Sequence, residues 1–201
     1  RRVQMVLELL AALGHPVSSI TPEPASRDDL LLVHDPTYVA AVEALSVPGA
    51  DASNAERWGL GTADNPVFPE MDQATRRLVG GTLAASRLVI EGKAKRALHL
   101  GGGLHHAAFD RASGFCIYND LAVAIKHMAR RGWNVAYLDI DVHHGDGVQQ
   151  LFYGEGRVMT ISLHETGRFL FPGTGEVHEL GQGVGRGLKV NLPLEPFTED
   201  E

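Results

Sequence analysis

The stretch Leu138-Asp139-Ile140-Asp141-Val142-His143-His144-Gly145-Asp146-Gly147 constrains this chain more than any other. An apolar run, Val135 to Leu138, leads into it and then breaks into metal-ligand and acid–base residue types. On an extended backbone, side chains at i, i+2 and i+4 share one face. Asp139, Asp141 and His143 are therefore expected to point the same way at spacings of about 6–7 Å, with Ile140 and Val142 turned into a core. Two carboxylates and an imidazole on one face are costly to bury unless a cation sits among them, and a divalent metal is the economical explanation. A solvated strand end would explain a lone Asp-x-Asp. It does not explain two His, a third Asp and two Gly in the six positions that follow.

Composition bounds the rest. The 201 residues are 44% hydrophobic and 21% charged, enough for one full core and one domain. A net charge of −7 argues against nucleic-acid binding through phosphate neutralisation. The single cysteine, Cys116, excludes an internal disulfide framework and fits a reducing, cytoplasmic setting. Neither a signal-peptide pattern nor an apolar run of about 18 residues is present, so membrane association is not expected. The chain opens on Arg1-Arg2 inside a helical pattern and closes on Thr198-Glu199-Asp200-Glu201. It is expected to be a domain cut short at both ends.

Val3, Val6, Leu7, Leu10 and Leu13 recur at helical spacing, with Gly14 as the stop. Ser26 and Asp29 resemble a capping box before Leu30, and Asp35-Pro36 reads as N-cap and first position of a helix burying Val39, Val42 and Leu45. Residues 47–70 are irregular, a length more often functional than idle. Helical period returns from Met71 to Ile90, with Gly80-Gly81 as a close-packing point. Beyond Arg96 the pattern alternates: strand Ala97–Leu100, helix Asp120–Arg131, strand Asn134–Asp139, short helix Gly147–Tyr153, then strands Val158–Leu163 and Leu188–Leu192. That alternation predicts an α/β fold, a parallel sheet with helices on both faces. Ligands in such sheets collect at the carboxyl ends of the strands, where both dense stretches, 101–106 and 139–146, fall.

The second dense stretch is Gly101-Gly102-Gly103-Leu104-His105-His106. A Gly triplet or a His pair alone is weak, but Asp139 and Asp146 are available as carboxylate partners that would fix tautomers and raise basicity.

These motifs, with Ser-Gly-Phe-Cys-Ile-Tyr-Asn-Asp (113–120), Val-Met-Thr-Ile-Ser (158–162) and Phe-Pro-Gly-Thr-Gly (171–175), resemble the histone deacetylase family. Gly-Leu-Gly-Thr-Ala-Asp-Asn-Pro-Val-Phe (59–68) is most similar to its bacterial acetoin-utilisation branch. The resemblance implies the three-layer arginase/deacetylase-like fold. It also implies that Asp141 and His143 are two of three zinc ligands, and that His105 and His106 are the tandem active-site histidines, with Asp139 and Asp146 as their respective partners. Asp139, Asp141, His143, Ser162 and Leu163 would hold a monovalent cation, potassium. Gly114, Phe115 and Phe171 would line the acyl-lysine channel, Asp64 would hold the substrate backbone at its rim, and Arg2 would match an arginine behind the metal. His144, Cys116, His99, His164 and His178 are expected to be structural. The family's third metal ligand, an Asp, and its carbonyl-polarising Tyr have no counterpart before residue 201. Asp200 lacks the expected flanking residues and is not assigned.

The expected activity is metal-dependent hydrolysis of an N-acetylated amine, most naturally acetyl-lysine in a protein, with zinc first and ferrous iron also suited to a sulfur-free ligand set. An acetylated polyamine is the alternative substrate. An arginase-type ureohydrolase with two manganese ions, and a non-catalytic acetyl-lysine-binding protein, are the rival classes. The 201 residues alone are expected to be inactive.

Overall fold

Two capped helices open the folded frame of this computed structural model, which describes residues 2–15, 17 and 19–199. The Arg2 side chain and Asp200, both weighed in the sequence, lie outside the described residues. Ser26 accepts the Asp29 N–H, and the Asp29 carboxylate takes the Ser26 N–H in return, a reciprocal capping box that starts α2 (Arg27–Leu30). Asp35 caps α3 (Pro36–Leu45) by accepting from the Thr37 and Tyr38 amides at 2.7 and 3.3 Å; losing such a cap costs about 1 kcal/mol. The apolar stripe of α3 buries Tyr38, Val39, Val42 and Leu45.

The long helix α4 (Met71–Ile90) lies against α3 and α5 (Asp120–Arg130). Its paired glycines work as the sequence predicts: a Cβ at Gly80 would collide with the Glu23 carbonyl, and one at Gly81 with the His99 imidazole. The core is continuous from α2 and α3 through α4 and α5 to Val148, Phe152 and Val158. Helix α1 (Arg2–Ala12) stands apart from it, with Met5 and Leu9 59% and 58% exposed. Between α3 and α4 the chain is irregular, as expected, apart from a 3-10 turn at Ala55–Trp58.

Strands β1 (Val135–Asp139), β2 (Val158–Glu165) and β3 (Lys189–Leu194) form a parallel sheet in that order, with Asp139 opposite Ser162 and Ser162 opposite Asn191. Helix α6 (Asp146–Leu151) follows β1, and α5 packs against both. One face of the sheet, carrying Asp139, Val158, Thr160, Ser162, His164, Lys189 and Asn191, is buried. No helix among the described residues is long and apolar enough to cross a membrane.

Three expectations are corrected. Ala97–Leu100 forms no strand: Ala97 to His99 have no regular structure, Leu100 begins a turn, and a cavity of about 390 Å³ lies between Ala97 and His99 on one side and Val135, Ala136 and Tyr137 of β1 on the other. Strand β1 ends at Asp139, so Asp141 and His143 lie in the loop beyond it rather than on an extended strand face. Ile140 and Val142 of that loop, expected in a core, are 77% and 53% exposed, and Leu138, on the face of β1 opposite Asp139, is 64% exposed. Alternation shows that this face is apolar; it does not show what covers it.

Candidate active site

The carboxyl end of β1 and the start of α6 meet the 101–106 loop, and two carboxylate–imidazole pairs form there. His105 Nδ1 lies 2.7 Å from Asp139 Oδ2 and His106 Nδ1 lies 2.6 Å from Asp146 Oδ1. These are the two partnerships read from the sequence. Asp139, the last residue of β1, is 6% exposed and also accepts the Tyr137 hydroxyl and the Asp141 amide. Burial pushes its pKa up, but the His105 and Tyr137 hydrogen bonds prevail and hold it below the usual carboxylate range. Burial likewise works against a charged His105, yet the hydrogen bond and charge of Asp139 raise its pKa above the ordinary imidazole value. Asp146 is the first residue of α6, where the helix N-terminus favours a negative charge.

Each ring thus uses Nδ1 on its carboxylate and keeps Nε2 for the site. The rings of His105 and His106 lie 4.0 Å apart between centroids; Phe171 meets His106 edge to face at 4.9 Å, and His143 lies 5.7 Å from His106 and 6.2 Å from Phe171. Gly114 closes the other side. A Cβ there would sit 2.5 Å from His106 Cδ2 and 3.0 Å from Phe171 Cε1, so only glycine fits between the two rings.

Gly114 and Phe115 are the central residues of a two-residue hairpin closed by the Ser113 amide to the Cys116 carbonyl at 3.0 Å and the reverse bond at 2.8 Å. Both have positive φ, 49° and 67°, the geometry of the mirror-image turns that suit hairpins. A bulky aromatic in that region costs roughly 1–2 kcal/mol. The turn presents Phe115 73% exposed beside the site, with Phe171 47% exposed. Asp64 is exposed on a loop whose base docks near this turn, through the Ala112 amide on the Trp58 carbonyl at 2.9 Å.

Asp141 and His143 form the outer part. Asp141 Oδ1 accepts the His143 amide and lies 2.9 Å from His143 Nδ1, with side chains 51% and 36% exposed. Partial burial opposes the effect, but the His143 hydrogen bonds lower the Asp141 pKa. An oxygen and an imidazole nitrogen that converge this closely, without sulfur, suit zinc or a similar divalent ion. Among the described residues no group of three His, Cys, Asp or Glu side chains is placed to hold a metal. Ser162 is cross-strand to Asp139, and its hydroxyl is taken by His164 Nδ1 at 2.9 Å; Leu163 pairs with Leu192 of β3 and is 39% exposed.

Three further histidines are held by hydrogen bonds. His144 Nδ1 meets the Thr174 hydroxyl at 2.8 Å, His164 Nε2 the Gly175 carbonyl at 3.0 Å, and His99 Nδ1 the Thr82 hydroxyl at 2.9 Å. Burial pushes the Cys116 thiol up to about 11, which leaves it protonated and unreactive. His178 is exposed. Sequence reasoning missed Tyr137, although the two-residue period of β1 places it on the same face as Asp139.

The Histone deacetylase domain profile matches residues 1–201, and the chain belongs to the histone deacetylase family. Within the family it lies on the acetoin-utilisation branch. It is 51% identical over 183 residues to the acetoin utilization protein AcuC of Bacillus subtilis (strain 168), covering 90% of this chain and 47% of that protein. Among solved structures it resembles a histone deacetylase homolog from Aquifex aeolicus, at 32% identity and a TM-score of 0.87, over 96% of this chain and 53% of that one. A histone deacetylase homolog complexed with SAHA matches at 32% identity and a TM-score of 0.86, over 96% and 52%. The chain spans about half the length of these proteins.

Proposed function

We propose that this chain carries the acid–base half of a zinc-dependent deacetylase that hydrolyses the amide of acetyl-lysine in proteins. The observation that carries the reading is the His106–Asp146 pair, at 2.6 Å, facing the Gly114–Phe171 wall with Asp141 and His143 beside it. Zinc held by Asp141 and His143, with a further ligand, would supply Lewis-acid polarisation of the acetyl carbonyl and of a water. His106, with its Nδ1–H committed to Asp146, presents Nε2 to take the proton of that water and to return it to the leaving amine. His105, favoured as the imidazolium by Asp139, offsets the negative charge that develops as the carbonyl is attacked. Phe115 and Phe171 flank the apolar stem of the lysine, and Asp64 holds the substrate backbone at the rim. Potassium is the cation assigned to Asp139, Asp141, His143, Ser162 and Leu163, and a cytoplasmic setting suits the lone reduced Cys116.

The test is turnover by the full-length protein of an acetyl-lysine peptide and of an acetylated polyamine, with bound metal measured per chain. One zinc and a higher kcat/KM for the peptide are expected. Preference for the polyamine would move the substrate, two manganese ions with arginine hydrolysis would replace the class, and peptide binding without turnover would leave a reader of acetyl-lysine.

A further inference from the structure

We infer that the first turn of α5, through Asn119 and Asp120, is the positioning device that fixes His105 and His106; the inference rests on reading those histidines as the acid–base groups. Both α5 residues are fully buried, and both carry more hydrogen-bonding capacity than a helix start requires.

Asn119 is the N-cap, and its Oδ1 accepts the Ala122 amide at 2.9 Å. Capping needs only that oxygen, since Ser or Asp caps equally well. The surplus Nδ2 group turns away from the helix and donates to the carbonyls of His105 at 3.3 Å and Ala107 at 3.0 Å. Asp120 does the complementary task on the upstream side. Its Oδ1 accepts the Leu104 amide at 2.7 Å, and its Oδ2 accepts the Gly103 amide at 3.1 Å and the Thr82 hydroxyl. One helical turn therefore grips the chain at Gly103, Leu104, His105 and Ala107. Carbonyls are held after the first histidine and amides before it.

The grip is closed from two further directions. The Val148 amide of α6 donates to the same His105 carbonyl at 3.2 Å, and a Cβ on Gly147 would sit 2.6 Å from that oxygen and 2.5 Å from the Ala107 carbonyl. His34 bridges α5 to the next residue along: its Nδ1 bonds the Ala108 carbonyl at 2.9 Å, while its Nε2 accepts the Asn119 amide at 3.0 Å. Gly102 must lack a side chain for the carboxylate to reach in, because a Cβ there would lie 2.5 Å from Asp120 Oδ2. The buried carbonyls of His105 and Ala107, left without these partners, would each carry a desolvation penalty, and the part-buried Gly103 and Leu104 amides would lose a carboxylate acceptor, so the segment has one low-energy path, and that path sets where the two imidazoles stand.

Asn119→Ser in the full-length protein separates capping from positioning, because serine keeps a capping oxygen and removes both Nδ2 donors. A pure capping role leaves kcat and thermal stability near wild type. The positioning role lowers kcat roughly 10–100-fold, the scale of an ångström-sized misplacement, with KM and zinc content unchanged. Amide hydrogen exchange in the wild-type protein reads the same grip without activity: Gly103 and Leu104 are expected to exchange as slowly as the interior of α5. A wild-type kcat in Asn119→Ser overturns the inference. If that variant fails to fold, exchange of both amides at free-loop rates in the wild type overturns it equally. A wild type that never turns over acetyl-lysine would sink the proposed function while leaving the exchange result to decide this one.

Discussion

His105 and His106 are 6% and 5% exposed, each with a carboxylate within 2.7 Å and its backbone held by neighbouring elements. Asp141 and His143, in the separate loop that follows β1, are half exposed and bonded chiefly to each other. The inner pairs are complete with groups from this chain alone. The outer pair offers two donors, fewer than the three protein ligands a catalytic zinc site uses. Proton handling is therefore preorganised by packing and hydrogen bonds, whereas the geometry of the outer pair is set only by the turn after β1 and by whatever it binds.

The largest expected effect breaks the outer half. His143→Ala in the full-length protein should abolish bound zinc and turnover together, because one of few ligands is removed. Full zinc occupancy in that variant would reassign the metal site. Gly114→Ala probes the inner half from its open side. The new methyl has no room beside His106, and the φ of 49° is strained for any side chain. We expect kcat to fall roughly 10²-fold and zinc content to stay at the wild-type level. A silent Gly114→Ala would mean that the His106 ring is free to move.

The smallest effect at neutral pH sits deepest. Burial holds the His34 pKa down at about 4, below its ordinary 6.5, against the opposing Phe109 and Ala108 carbonyl bonds. A protonated Nε2 could no longer accept the Asn119 amide. The unfolded chain then binds a proton that the folded one refuses, so this contribution is intact above pH 6.5 and shrinks as pH falls toward 4. The loss is about 3 kcal/mol across that window. Urea unfolding at both ends of the window should show a steeper decline for wild type than for His34→Gln, and parallel declines would remove His34 from the support of the inner half.

Much of this was legible in the sequence, for identifiable reasons. The capping box at Ser26–Asp29, the Asp35-Pro36 start and the Gly80-Gly81 contact depend on neighbours in sequence or on the absence of a side chain, and all three stand as read. The two histidine–carboxylate pairs were legible because the family resemblance assigned each carboxylate to its histidine, even though the partners are 34 and 40 residues apart. What escaped depends on distant geometry. Ala97–Leu100 has a strand's composition but no partner within reach across the cavity beside β1. Ile140 and Val142 have the apolar character of a core without its cover. The reach of the Asn119 donors is not visible in the local pattern, since their acceptors lie 12 and 14 residues upstream.

The central claim is that His106, held by Asp146, moves the proton. It is tested most directly by kcat and zinc content measured together in full-length His106→Ala, beside His105→Ala. The account expects His106→Ala to lose roughly 10²–10⁴ in kcat, the usual worth of a positioned general base, with zinc retained. A His106→Ala enzyme that keeps its turnover while His105→Ala is crippled would contradict it and exchange the two roles.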